Sequence, residues 1–119
     1  QAFFQALAND PPPLHLARWI ADYPDPDNFM TLFATWSGNN DLGFESPEYD
    51  DVIERAGRLS DSSQRRILYD RAQRLLLNDE AAIAPLYINS QNHLISPQLM
   101  GFELNPMDIV YWERLRWEE

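Results

Sequence analysis

The chain has 119 residues, the length of one ordinary domain, with 19 acidic against 9 basic side chains and a formal net charge of −10. All nine bases are Arg and there is no Cys, which excludes a disulfide scaffold and a Cys-based zinc site and argues against a general nucleic-acid binder. No apolar run approaches the roughly 18–20 residues of a membrane span, while 45% hydrophobic and 13% aromatic residues argue against disorder.

The opening Gln1-Ala2-Phe3-Phe4 carries no initiator Met and no signal peptide, which suggests the inside of a longer protein; the lack of Cys fits an exported one. Residues 1–8 read as a short helix. Asn9-Asp10-Pro11-Pro12-Pro13 breaks it, because three prolines exclude helix and central strand alike. Residues 14–20 read as extended, with Leu14, Leu16 and Ile20 on one side and His15, Ala17 and Trp19 on the other. Pro24 and Pro26 stiffen a loop over 23–28. Residues 29–36 suggest a short helix, and 37–46 are rich in turns.

Two helices follow. Ser46 is an N-cap with Pro47 at the first helical position, and Tyr49, Val52, Ile53 and Ala56 form an apolar stripe. Gly57 and Ser60 allow a stop. Asp61 with Gln64 makes a capping-box pattern for the second helix, whose stripe is Leu68, Ala72, Leu75 and Leu76. Acid-to-Arg pairs at i, i+4 are Asp51–Arg55, Glu54–Arg58, Asp61–Arg65 and Asp70–Arg74, a solvated face more than an anion site. Residues 83–89 and 93–95 read as strands. Pro97, Gly101 and Asn105-Pro106 punctuate a tail ending in Ile109, Val110, Tyr111, Trp112, Leu115 and Trp117. Residues 1–49 hold a balance of −6, residues 50–79 are neutral, and residues 80–119 hold −4.

The densest polar cluster is Asp22-Tyr23-Pro24-Asp25-Pro26-Asp27-Asn28. A calcium loop fits poorly, since Phe29 stands where a third ligand belongs and no Gly follows. A carboxylate pair for glycoside hydrolysis is open to any two acids near a Trp. For Asp25, Asp27 and Asn28 the capping of turns and of a helix starting at Phe29 is the leading reading. Asp22 beside Trp19 suits a cationic ligand group, the acid giving a charge-assisted hydrogen bond and the ring a favourable face. His15 and His93 read as ordinary surface or half-buried residues, and no other set resembles a catalytic one.

Trp19-Ile20-Ala21-Asp22-Tyr23-Pro24-Asp25-Pro26-Asp27-Asn28-Phe29 resembles the W-x-A-D-Y-x-D-P-x-N-F segment of the oligopeptide/dipeptide-binding proteins, family 5 of the extracellular solute-binding proteins of peptide ABC transporters. Gly38-Asn39-Asn40 and Pro47-Glu48-Tyr49-Asp50 resemble its N-N and P-x-Y-D elements. Arg66-Ile67-Leu68-Tyr69-Asp70-Arg71-Ala72-Gln73 resembles its R-x-x-L-Y-x-x-A-Q helix. Asp79 through Pro85-Leu86-Tyr87, and Gly101-Phe102-Glu103-Leu104-Asn105-Pro106, resemble the I-x-P-L-Y and G-F-x-x-N-P stretches.

The resemblance implies an α/β chain that is the C-terminal portion of a two-lobe, periplasmic-binding-protein-like (type II) fold. Residues 1–92 would belong to the second ligand-binding lobe, and residues 93–119 would return to the first. It implies a substrate-binding component of an ABC importer, not an enzyme, with no cofactor and no metal. The implied partners are a peptide, the permease subunits and the remainder of its own polypeptide, with no nucleic acid. The implied place is periplasmic or otherwise extracytoplasmic, with or without a lipid anchor. By the same resemblance Asp22 holds the peptide α-ammonium, Trp19 walls the pocket, and the backbone of Arg18, Trp19, Ile20 and Ala21 pairs with the ligand main chain. Some members carry an Arg six residues before the Asp; that place here is Leu16, so peptide length is left open. Receptors of the same fold that signal, that handle nickel or haem, or that are fused to a DNA-binding domain are the alternative, and a carboxylate-dependent hydrolase a remote one.

Overall fold

The computed structural model describes residues 5, 7, 9, 12–105 and 107–118. They divide into two units, Gln1–Ala84 and Pro85–Glu119.

The first unit is helical. Gln5, Leu7 and Asn9 are helical, with Leu7 buried; the other residues of the expected 1–8 helix, and Asp10 and Pro11 of the break, lie outside the described residues. Helix α1, Asp27–Met30, runs into a 3-10 turn, Thr31–Phe33, and the chain leaves it extended at Ala34. The helical segment thus begins two residues earlier than Phe29 and stops short of Trp36. Helix α2, Pro47–Arg58, starts where the Ser46 Oγ accepts the Tyr49 N–H at 3.4 Å. Helix α3, Ser62–Arg74, starts where the Asp61 carboxylate accepts the Gln64 N–H at 2.8 Å. Both caps stand where the sequence puts them.

Beyond Arg74 the helix widens into a π-turn, Leu75–Asp79. It is closed by the Glu80 N–H to the Leu75 carbonyl and the Ala82 N–H to the Leu76 carbonyl, each 2.9 Å. Between these bonds Ala81 takes φ 48°, a left-handed reversal that usually falls to glycine. Tyr49, Val52 and Ile53 from α2, Ala72 from α3, Leu75 and Leu76 from the π-turn, and Ala34 form the core, with Met30, Phe33, Phe44 and Leu68 packed on it.

Polar bonds fasten the 30–45 loop to this hairpin. The buried Tyr49 hydroxyl donates to the Met30 carbonyl at 2.7 Å, and the Thr35 N–H donates to Asp50 at 3.0 Å. The Asn40 amide donates to the Ala34 and Phe44 carbonyls and accepts the Phe44 N–H. The Tyr and Asp of P-x-Y-D and the second Asn of N-N therefore have structural work. Of the expected helix pairs, Asp51–Arg55 and Glu54–Arg58 form at 3.2 and 2.9 Å. Arg65 instead leaves Asp61, Asp70 faces Arg66 at 3.9 Å, and Arg71 pairs with Glu48.

In the second unit a two-stranded antiparallel ladder joins β1, Leu99–Met100, to β2, Arg116–Trp117, with Leu99 opposite Trp117 and Met100 opposite Arg116. Gly101 turns the chain away at φ 83°; a Cβ there would lie 1.9 Å from the Arg114 carbonyl oxygen, so no other residue fits. His93 sits 3.3 Å from Asp108 and beside the Phe102 ring.

The strands expected at 83–89 and 93–95 do not form. A strand needs a hydrogen-bonding neighbour, and no ladder among the described residues reaches these segments. Ile83 packs on the first unit's core, whereas Ile88 and Leu94 stand fully exposed. The chain is thus mixed, helices plus a small sheet. No helix of the described residues is long and apolar enough to cross a membrane.

Candidate functional site

The prolines of the 22–28 loop remove two backbone donors, and the loop's own side chains satisfy much of the rest. The Asp25 Oδ1 accepts the Asp27 N–H at 2.9 Å and so starts α1; this bond, not a cap from Asp27 or Asn28, opens the helix.

Asp25 is also clamped from α3. Arg65 gives it two parallel bonds, Nη1 to Oδ2 and Nη2 to Oδ1, both 2.8 Å. The guanidinium holds the Asp25 carboxyl below the usual carboxylate range, and the Asp27 N–H adds to this. The Arg65 Nε donates to the Ala56 carbonyl in the last turn of α2 at 3.2 Å. Its Nη2 also donates to the Tyr69 hydroxyl at 3.0 Å. Tyr69 in turn donates to Asp27 Oδ1 at 3.1 Å, and Tyr23 donates to Asp27 Oδ2 at 2.9 Å. Desolvation raises both phenols above the usual tyrosine value, so they remain donors.

Asp22 differs from its two neighbours. It is exposed, and its carboxylate has no hydrogen bond or ion pair among the described residues. Its main-chain N–H donates to Asn28 Oδ1 at 3.1 Å, and the same oxygen accepts the Trp19 Nε1–H at 2.8 Å. Trp19 is about a third exposed at 37%, Arg18 and Ile20 are exposed, and Ala21 is half-buried. No hydrogen bond among the described residues engages the main chain of residues 18–21. Leu16 is exposed.

The arrangement offers an uncommitted carboxylate, an indole tethered nearby and a strip of open main chain. That set can take an ammonium and pair with an extended chain. Asp25 and Asp27 are engaged by Arg65, Tyr69 and Tyr23, and no group of three His, Asp or Glu that could hold a metal ion occurs among the described residues.

Two residues escape the sequence reading. Arg65 looks like the partner of Asp61, but Asp61 is occupied as the cap of α3, which frees Arg65 for Asp25. The signal lay in the spacing of R-x-x-L-Y, since the arginine three before Leu68 is Arg65. Asn28 looks like a cap; it is the shared acceptor of Trp19 and Asp22.

No family model matches the chain. Individual proteins do. The chain is 34% identical over 96 residues to the periplasmic murein peptide-binding protein MppA of Escherichia coli, covering 80% of this chain. It is 33% identical over 100 residues to the periplasmic oligopeptide-binding protein OppA of Salmonella typhimurium, covering 83%. It is 34% identical over 103 residues to the dipeptide-binding protein DppE of Bacillus subtilis, covering 87%. In each case the chain spans 18% of the relative's own length.

Proposed function

We propose that this chain, a member of the oligopeptide- and dipeptide-binding protein family, is the C-terminal portion of the receptor subunit of a peptide ABC importer. It is a binding module and not an enzyme. The receptor works in the periplasm or another extracytoplasmic space and delivers peptide to permease subunits. The rest of the polypeptide supplies the first lobe. Residues 1–92 belong to the second lobe, and residues 93–119 return to the first.

In this reading Asp22 takes the peptide's free α-ammonium, Trp19 walls the pocket, and the main chain from Arg18 to Ala21 pairs with the ligand backbone. Main-chain pairing gives affinity without reading side chains, so many sequences bind. Amine capture fixes the register. One observation carries the reading. Of the three carboxylates in the loop, Asp25 and Asp27 are engaged by protein partners, and Asp22 has none among the described residues. The local balance of −6 over residues 1–49 favours a cation there as well.

The test is Asp22→Asn in the full-length protein, titrated calorimetrically with a free-amine peptide. Removing one partner of a buried ion pair costs about 3–5 kcal/mol, so a loss of at least two decades in affinity is expected. Unchanged affinity would overturn the assignment.

A further inference from the structure

Asn28 is 5% exposed, and its side-chain oxygen takes two hydrogen bonds from the segment proposed to hold the ligand. One comes from the Trp19 indole N–H at 2.8 Å and the other from the Asp22 main-chain N–H at 3.1 Å. Among the described residues these are the hydrogen bonds that hold residues 18–22. That stretch has no regular secondary structure to fix it. Asn28 itself stands in α1, which the Asp25–Arg65 and Asp27–Tyr69 bonds lash to the α2–α3 hairpin.

We propose that Asn28 is the positioning residue of the amine site: its single carbonyl oxygen sets the Trp19 ring and the Asp22 backbone at a fixed separation without touching the ligand. This rests on the reading of Asp22 as the amine partner. A free carboxylate on an irregular, unpaired segment samples many positions, and each one lost on binding lowers affinity. Two bonds to one buried acceptor remove that freedom beforehand. They also couple the wall to the charge, since neither donor can shift without stretching a bond to the shared oxygen. An amide suits the task because it accepts both N–H groups and adds no second negative charge beside Asp22.

The test uses the full-length protein and a free-amine peptide. Asn28→Ala, Asp22→Asn, the double variant and Asn28→Asp are titrated calorimetrically, and the Trp19 indole N–H resonance is followed by NMR. The expected result has three parts. Asn28→Ala lowers affinity about tenfold or more and shifts the Trp19 resonance. The same substitution made on top of Asp22→Asn costs less than about threefold, because no carboxylate is left to place. Asn28→Asp, which keeps an acceptor for both N–H groups, returns the Trp19 resonance. If Asn28→Ala does not fold, Asn28→Ser, too short to reach both donors, replaces it.

An equal loss in both backgrounds would show a general effect on folding and overturn the inference, as would wild-type affinity in Asn28→Ala. If Asp22→Asn alone binds as wild type, the reading of Asp22 falls, and that outcome is distinct from the other two.

Discussion

At the scale of single residues, buried hydroxyls and amides do the joining. Tyr49 is completely buried in the core, and its hydroxyl donates 19 residues back to the Met30 carbonyl. Burial, with Asp50 beside it, raises the phenol well above the ordinary tyrosine value, so it stays a donor at any working pH. Tyr49→Phe keeps the ring and its edge-on contact with Phe44 but leaves the Met30 carbonyl without that bond. The expected loss is about 1–3 kcal/mol of unfolding free energy, read from denaturant curves of the wild-type and variant full-length proteins. Equal midpoints would mean that water serves the carbonyl as well as the hydroxyl does. The tyrosine of P-x-Y-D is visible in the sequence only as a stripe residue; its hydroxyl partner is 19 positions away, beyond any helical spacing.

At the scale of elements, the loop and the α2–α3 hairpin meet through Asp25 and Arg65. The Arg65 guanidinium depresses the Asp25 carboxyl in the folded chain. A depressed folded pKa stabilises fully above the unfolded value of about 3.9 and loses that contribution as pH falls through the folded value. Asp25→Asn removes the charge at every pH. The stability gap between wild type and Asp25→Asn should therefore be widest from about pH 5 upward and narrow steadily below about pH 4. Urea midpoints at a series of pH values measure it, and a gap of constant size from pH 7 to pH 2.5 would contradict the assignment of the pair.

What sequence could and could not reveal divides along the same line. The helix starts at Ser46 and Asp61, and the stripes of α2 and α3, are written in local spacing, and the structure follows them. The motif marks Arg65, but its bond to Asp25 spans 40 residues, and no local spacing names that partner. The strands expected at 83–89 and 93–95 failed for a related reason. Their largely apolar residues suit an extended chain, but it becomes a strand only when another segment supplies hydrogen bonds, and none among the described residues does. In the candidate site, the motif names Asp22 and Trp19 as candidates, whereas Asn28's double acceptance depends on how the loop folds over α1.

At the scale of the whole molecule, the exposed apolar side chains need an explanation. Leu14, Ile88 and Leu94 are 89%, 98% and 104% exposed, and Tyr87, Trp112 and Trp117 are largely so. Scattered single residues of this kind are ordinary on a protein surface, but large aromatics and aliphatics this dense over residues 86–117 are not. In the proposed two-lobe receptor the remainder of the polypeptide would cover them; the chain spans 18% of the length of each of these relatives. The isolated 119-residue chain should then behave as an incomplete receptor. It should bind a hydrophobic dye, self-associate in sedimentation at tens of micromolar, and bind a free-amine peptide more weakly than millimolar, since one lobe cannot enclose the ligand. Adding the remainder of the polypeptide as a separate chain should reduce dye binding and restore peptide affinity together, because the same apolar faces and the same closure are involved. A monomeric, dye-silent chain that binds peptide at micromolar concentration on its own would refute the two-lobe account while leaving the Asp22 amine contact standing.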